Sequence, residues 1–194
     1  MESSCAEDGF NYLVVLIGVI LGLGVVQILT GLASMIRNRK TIRIYWVHLV
    51  WCATIFLLLI QHWYVIYTWR DFGSTFASYV YFMIYPTLLY AGSALLAPKV
   101  ENAQKVDFEE IFYADRHWFF GICFLGLTEI VCRSLLFNNT SIVDTQNLIR
   151  LAGLFIVLML GWTHRKRVHA IGATVSLGLL VIFIALYSST FHAK

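Results

Sequence analysis

Charge is what this sequence has least of. Asp, Glu, Lys and Arg make up 13% of its 194 residues, against roughly 25% in an ordinary soluble domain. So few charges cannot hydrate the surface of a water-exposed fold, so lipid must replace water around most of the chain. The basic residues gather on no folded polar face, which argues against nucleic acid as a partner. The four cysteines, Cys5, Cys52, Cys123 and Cys132, contain no CxxC pair and no metal-ligand spacing. Cys52, Cys123 and Cys132 read as small buried apolar residues, with Cys123 and Cys132 on opposite faces of one helix. No HExxH, GxSxG or GxxxxGK[ST] motif occurs, and no carbonyl-filter pore loop is evident. No apolar run holds a lysine that could carry retinal.

What the chain has is hydrophobic length. Apolar residues make up 59% of it, with a mean hydropathy of +0.75. Six runs are each long enough to cross a hydrocarbon core of roughly 30 Å: about 12–36, 44–67, 75–97, 118–137, 147–162 and 170–191. Together they predict an all-α polytopic transmembrane bundle of six helices, forming a single domain over 1–194. The segment 105–116 sets Phe108, Ile111 and Phe112 against an acidic face. It is predicted to be a short amphipathic interfacial helix leading into the fourth span, or else an ordered turn packed on the bundle. The acidic residues 1–10 precede an apolar run of about 25 residues, longer than a signal-peptide core, so the first span is expected to be retained.

Loop charge predicts orientation. Arg37, Arg39, Lys40 and Arg43, then Lys99, Lys105 and Arg116, then Arg165, Lys166 and Arg167 place ten of the fourteen Lys and Arg residues on one side. The positive-inside rule puts these loops in the cytoplasm and both termini on the outer side of a cell membrane.

Two sets of residues inside the spans can carry chemistry. His48 and His62 are fourteen residues apart on one helix, just under four turns, so they share a face about 21 Å apart. Membrane b-type cytochromes hang a haem in each leaflet on such a pair. His117 and His169 at the inner level and His192 at the outer are the candidate facing ligands. No second span repeats the pair, which weighs against haem b. The other set lies in the outer half of the bundle. Charges within a span cost roughly 2.5–3.5 kcal/mol at mid-bilayer and normally find partners in the protein. Glu129 and Arg133, one turn apart, are expected to pair, and Arg150 enters from the same side. With Gln61, His62, Tyr64, Tyr81 and Tyr85, and with Pro86 expected to kink the third span, they outline a polar and aromatic pocket for a ligand. Gly18-xxx-Gly22 offers a smooth helix face, read as internal packing with a homo-oligomer as the alternative.

Tyr45-Trp-Val-His48, Tyr85-Pro-Thr-Leu-Leu-Tyr90 and Arg116-His-Trp-Phe-Phe120 give the chain a resemblance to a family of small multi-span bacterial inner-membrane proteins. That resemblance implies a helical membrane fold and brings no activity with it. Three function classes follow. The first is a non-enzymatic protein that handles a small solute or ion, or couples a signal, through the outer pocket. The second is a b-haem electron carrier using His48 and His62. The third is an accessory or effector subunit meeting a partner protein through the loop 98–116.

Overall fold

A computed structural model describes residues 2–66, 75–97, 106–136 and 141–191. Its elements in chain order are α1 (Glu2–Arg37), β1 (Ile42–Arg43), α2 (Trp46–Val65), α3 (Phe76–Leu96), β2 (Val106–Asp107), α4 (Phe108–Leu136), α5 (Thr145–Trp162) and α6 (Lys166–Phe191). All six helices are long and apolar enough to cross a membrane. In hydrocarbon each backbone N–H and C=O must be satisfied within its own segment, so an apolar run of this length becomes a helix. The chain is an all-α, multi-pass membrane protein.

The helices α2, α3, α4, α5 and α6 pack in that order around a ring that closes between α6 and α2, while α1 lies outside it against α3 and α2. Because the helices alternate in direction, the connections at 38–45, 97–107 and 163–165 share one end, here the basic end. The outer surface of the bundle is apolar: Val19 and Leu23 on α1, Phe155 and Trp162 on α5, and Ile171 and Val181 on α6 are all exposed. These are the side chains that lipid covers.

Glycines let α1 come close. A Cβ at Gly31 would sit 2.6 Å from the Ala97 Cβ, and one at Gly18 would meet the Trp63 ring at 2.5 Å, whereas Gly22 faces open space. The small face of α1 is therefore Gly18, Gly24 and Gly31, used for internal packing, and Gly22 does not take part. Gln27 Nε2 donates to the Ala97 carbonyl at 3.2 Å on the same seam.

The basic end is tied together. β1 and β2 pair in parallel, Ile42 with Val106 and Arg43 with Asp107, and Arg43 Nη1 reaches Asp107 Oδ2 at 3.4 Å. Asp107 Oδ1 accepts from the Glu109 N–H at 2.9 Å, which caps α4. Glu109 and Glu110 follow in its first turn, where the helix dipole favours acids. Burial, then the hydroxyl of Tyr113 at 3.4 Å, push the Tyr45 phenol above its ordinary range.

Two expectations need correcting. Among the described residues there is no separate interfacial helix, because 108–116 is the opening of a continuous α4. Its Phe108 and Phe112 are buried inside the bundle rather than laid on lipid. The partner-binding loop 98–116 is thereby divided: 98–105 lie outside the described residues, and 106–116 belong to β2 and α4. Pro86, expected to kink the third span, sits inside α3, which runs on to Leu96. Of the cysteines read as buried, Cys52 is buried and Cys123 half-buried, but Cys132 is exposed. The opposite facing of Cys123 and Cys132 along α4 holds.

Candidate functional site

Inside the ring lies a cavity of about 380 Å³ bordered by all five helices α2–α6. That is within the range of roughly 300–1,000 Å³ typical of small-molecule sites. At one extreme it reaches Val65, Ser134 and Gln146, all within two residues of a helix end away from the basic loops. At the other it stops at Trp51.

Beyond Trp51 the bundle is filled. The Trp51 indole meets Phe119 and Phe120 edge-on, both with centroids at 5.3 Å. Phe120 in turn contacts Phe112 at 6.2 Å and His169 at 5.7 Å. Edge-to-face packing of this kind favours a solid core. Below it, Arg116 is buried. Its Nη2 donates to His117 Nε2 at 2.8 Å and to His164 Nε2 at 2.6 Å, and its Nη1 donates to the Tyr113 carbonyl at 2.9 Å. Lys166 pairs with Glu109 alongside. The cavity is blind toward the basic end.

Its walls change character along their length. Toward the extreme away from the basic loops stand Gln61 and His62 on α2, Tyr85 on α3, Arg133 and Ser134 on α4, and Gln146 and Arg150 on α5. Deeper down, Ile55, Leu89, Ile122, Leu127, Val157 and Leu180 form an apolar floor.

The polar group is locked by mutual contacts. Arg133 Nη2 pairs with Glu129 Oε2 at 3.3 Å, with both side chains more than nine-tenths buried. This is the expected one-turn pair. The Arg133 guanidinium also lies 5.9 Å from the centre of the Tyr85 ring, and Tyr85 packs on His62 at 4.8 Å. Arg150 Nη1 donates to Asn147 Oδ1 at 2.9 Å, and its guanidinium stands 5.4 Å over Phe183. Asn147, itself buried, donates to the Ser141 carbonyl at 2.9 Å, so the start of α5 holds Arg150 in place. Arg150 also acts electrostatically on Glu129, with Tyr81 as a hydroxyl neighbour of that carboxylate.

Of the residues expected at the site, the structure brings Gln61, His62, Tyr85, Arg133 and Arg150 onto the cavity wall. Glu129 and Tyr81 stand behind it, and Tyr64 is exposed on the outside of α2. Ser134, Gln146, Trp51, Ser176 and Phe183 also line the cavity and were missed. Gln146 was findable, since Gln146, Arg150, Gly153 and Val157 follow helical spacing along one face of α5. Among the described residues, the buried Trp51 Nε1 and Ser176 Oγ of the cavity lining have no hydrogen-bond partner, which is uncommon for buried polar groups.

His48 has other work. It is buried, its Nε2 donates to the Leu96 carbonyl at 2.7 Å, and its ring meets Phe108 at 5.2 Å and Phe112 at 6.2 Å. Phe112 also touches the His169 ring at 5.6 Å, so a phenyl ring stands beside both imidazoles where a porphyrin would need space. His169 Nε2 is likewise engaged with the Thr163 carbonyl at 3.0 Å. These residues do not fit a haem at the inner level, and His192 at the outer level lies outside the described residues. No family model, curated protein or solved structure matches the chain.

Proposed function

We propose that this protein is a non-enzymatic membrane protein that binds a small solute in the cavity within α2–α6, entering from the side opposite the basic loops. The observation that carries this reading is the cavity itself: about 380 Å³, walled by five helices and blocked at one end by aromatic packing. A blind, part-polar cavity suits binding rather than continuous conduction. Trp51 Nε1 and Ser176 Oγ, unpartnered among the described residues, are groups a bound molecule can satisfy. By the positive-inside rule the basic end is cytoplasmic, so the polar extreme faces outward and the solute comes from outside the cell. From such a site the protein either carries the solute or signals its presence.

The test is thermal unfolding of the purified full chain against a panel of small solutes: sugars, amino acids, nucleosides and organic acids. A ligand that binds only the folded state raises the midpoint in a concentration-dependent, saturable way. At least one class should do so, and Gly153→Phe, which projects a ring into the cavity, should abolish the effect. A panel that leaves the midpoint flat throughout, or a shift that survives Gly153→Phe, overturns the proposal.

A further inference from the structure

The charge and shape of the cavity identify a ligand class, on the footing that the cavity is a binding site. We propose that it takes an amphipathic anion: one carboxylate or phosphate head held between Arg133 and Arg150, with an apolar body on the floor below.

The charge count comes first. Among the described residues, the charged side chains on the wall are Arg133 and Arg150, and no carboxylate lines it. Glu129 stands behind Arg133 and pairs with it. An anionic head therefore meets opposite charge on this wall, and a cation meets like charge.

Geometry points the same way. Guanidinium groups present paired N–H donors that match the oxygens of carboxylate and phosphate. Both are held in advance of binding, Arg150 by Asn147 and the Phe183 ring and Arg133 by Glu129 and the Tyr85 ring. That pre-organisation reduces the ordering cost of capture. The amide side chains of Gln61 and Gln146 lie on the same stretch of wall and add neutral donors. The floor then excludes a purely polar ion, because its aliphatic side chains gain only from an apolar body.

The head-on-apolar-body chemistry is shared by two sources, amphiphiles of the outer leaflet and water-borne aromatic or aliphatic acids. The test uses the full chain in phosphatidylcholine nanodiscs, following the unfolding midpoint against decanoate, phenylacetate, decanol and decyltrimethylammonium. Decanoate should give a saturable rise, and decanol and decyltrimethylammonium should not. Arg150→Gln should weaken the apparent affinity roughly tenfold or more, as expected when a charge-assisted hydrogen bond is lost. Gly153→Phe should abolish the rise, with Ser176→Phe as a second occluding variant should the first not fold. Decanoate acting alone assigns the ligand to the membrane. A comparable response to phenylacetate assigns it to the aqueous phase, and either result supports the anion assignment. If decanol, decyltrimethylammonium or a neutral solute gives the saturable, occlusion-sensitive rise and neither anion does, the ligand class is wrong while the binding site stands. If no compound does, both fall.

Discussion

Consider the buried pair Glu129–Arg133 and its neighbour Arg150. Removing one member of a buried ion pair leaves an uncompensated charge and costs about 3–5 kcal/mol, whereas removing both is far milder. The third charge makes the two single variants unequal. Glu129→Gln removes the carboxylate that pairs with Arg133 and on which Arg150 also acts. Arg133→Gln leaves Glu129 with Arg150, which already acts on it. We expect about 3 kcal/mol for Glu129→Gln, about 2 for Arg133→Gln, and about 2 for the double variant, a coupling of about 3 in the cycle. For a chain of this length each kcal/mol moves the melting midpoint by roughly 2–4 °C, so Glu129→Gln should lower it by roughly 6–12 °C. Loss of helicity in mixed micelles of increasing dodecyl sulfate content measures all four corners. Additive single costs, or an Arg133 variant more damaging than the Glu129 one, would refute the reasoning.

Other outcomes follow from the packing. Gly22→Ala should stabilise by about 0.5–1 kcal/mol through reduced backbone freedom. Gly31→Ala should destabilise by about 1–3 kcal/mol, because its Cβ would press on Ala97; the same micelle titration reads both. His164→Ala should cost about 1–3 kcal/mol by taking one acceptor from the buried Arg116 guanidinium, with faster proteolysis at the 163–165 turn as a local readout. Purified protein should show no Soret absorbance, since the nitrogen His48 would offer iron is bonded to Leu96.

The six spans were readable because an apolar helix in lipid is dictated by length and composition alone. The observed limits differ from the sequence reading most at α1, which begins at Glu2 rather than near 12, and at α4, which begins at Phe108 rather than near 118. There the amphipathic pattern was read correctly, but whether its apolar face lay on lipid or packed on the bundle stayed open. Period alone does not say whether Phe108 and Phe112 meet hydrocarbon or protein, and the deciding contacts, His48 and the β1–β2 pairing, are distant in sequence. The polar half of the site was legible for the opposite reason: a charge inside a span needs a partner, so Glu129, Arg133 and Arg150 marked themselves. The apolar floor carried no such mark, since Ile122 and Val157 look like any lipid-facing residue until the ring closes around them. Tyr64 was misplaced because shared depth with His62 was read as shared direction. Adjacent residues on a helix diverge by about 100°.

The central claim is that the cavity is reached from the face opposite the basic loops, and Cys123, which lines it, tests this most directly. In a chain with Cys5, Cys52 and Cys132 replaced by Ser, a small membrane-impermeant methanethiosulfonate applied to intact cells should modify Cys123, and Gly153→Phe should suppress the reaction. Gln146→Cys in a cysteine-free chain marks the expected entrance and should react from the same side. Modification of Cys123 only in inverted vesicles, or none while Gln146→Cys reacts freely, would contradict the account.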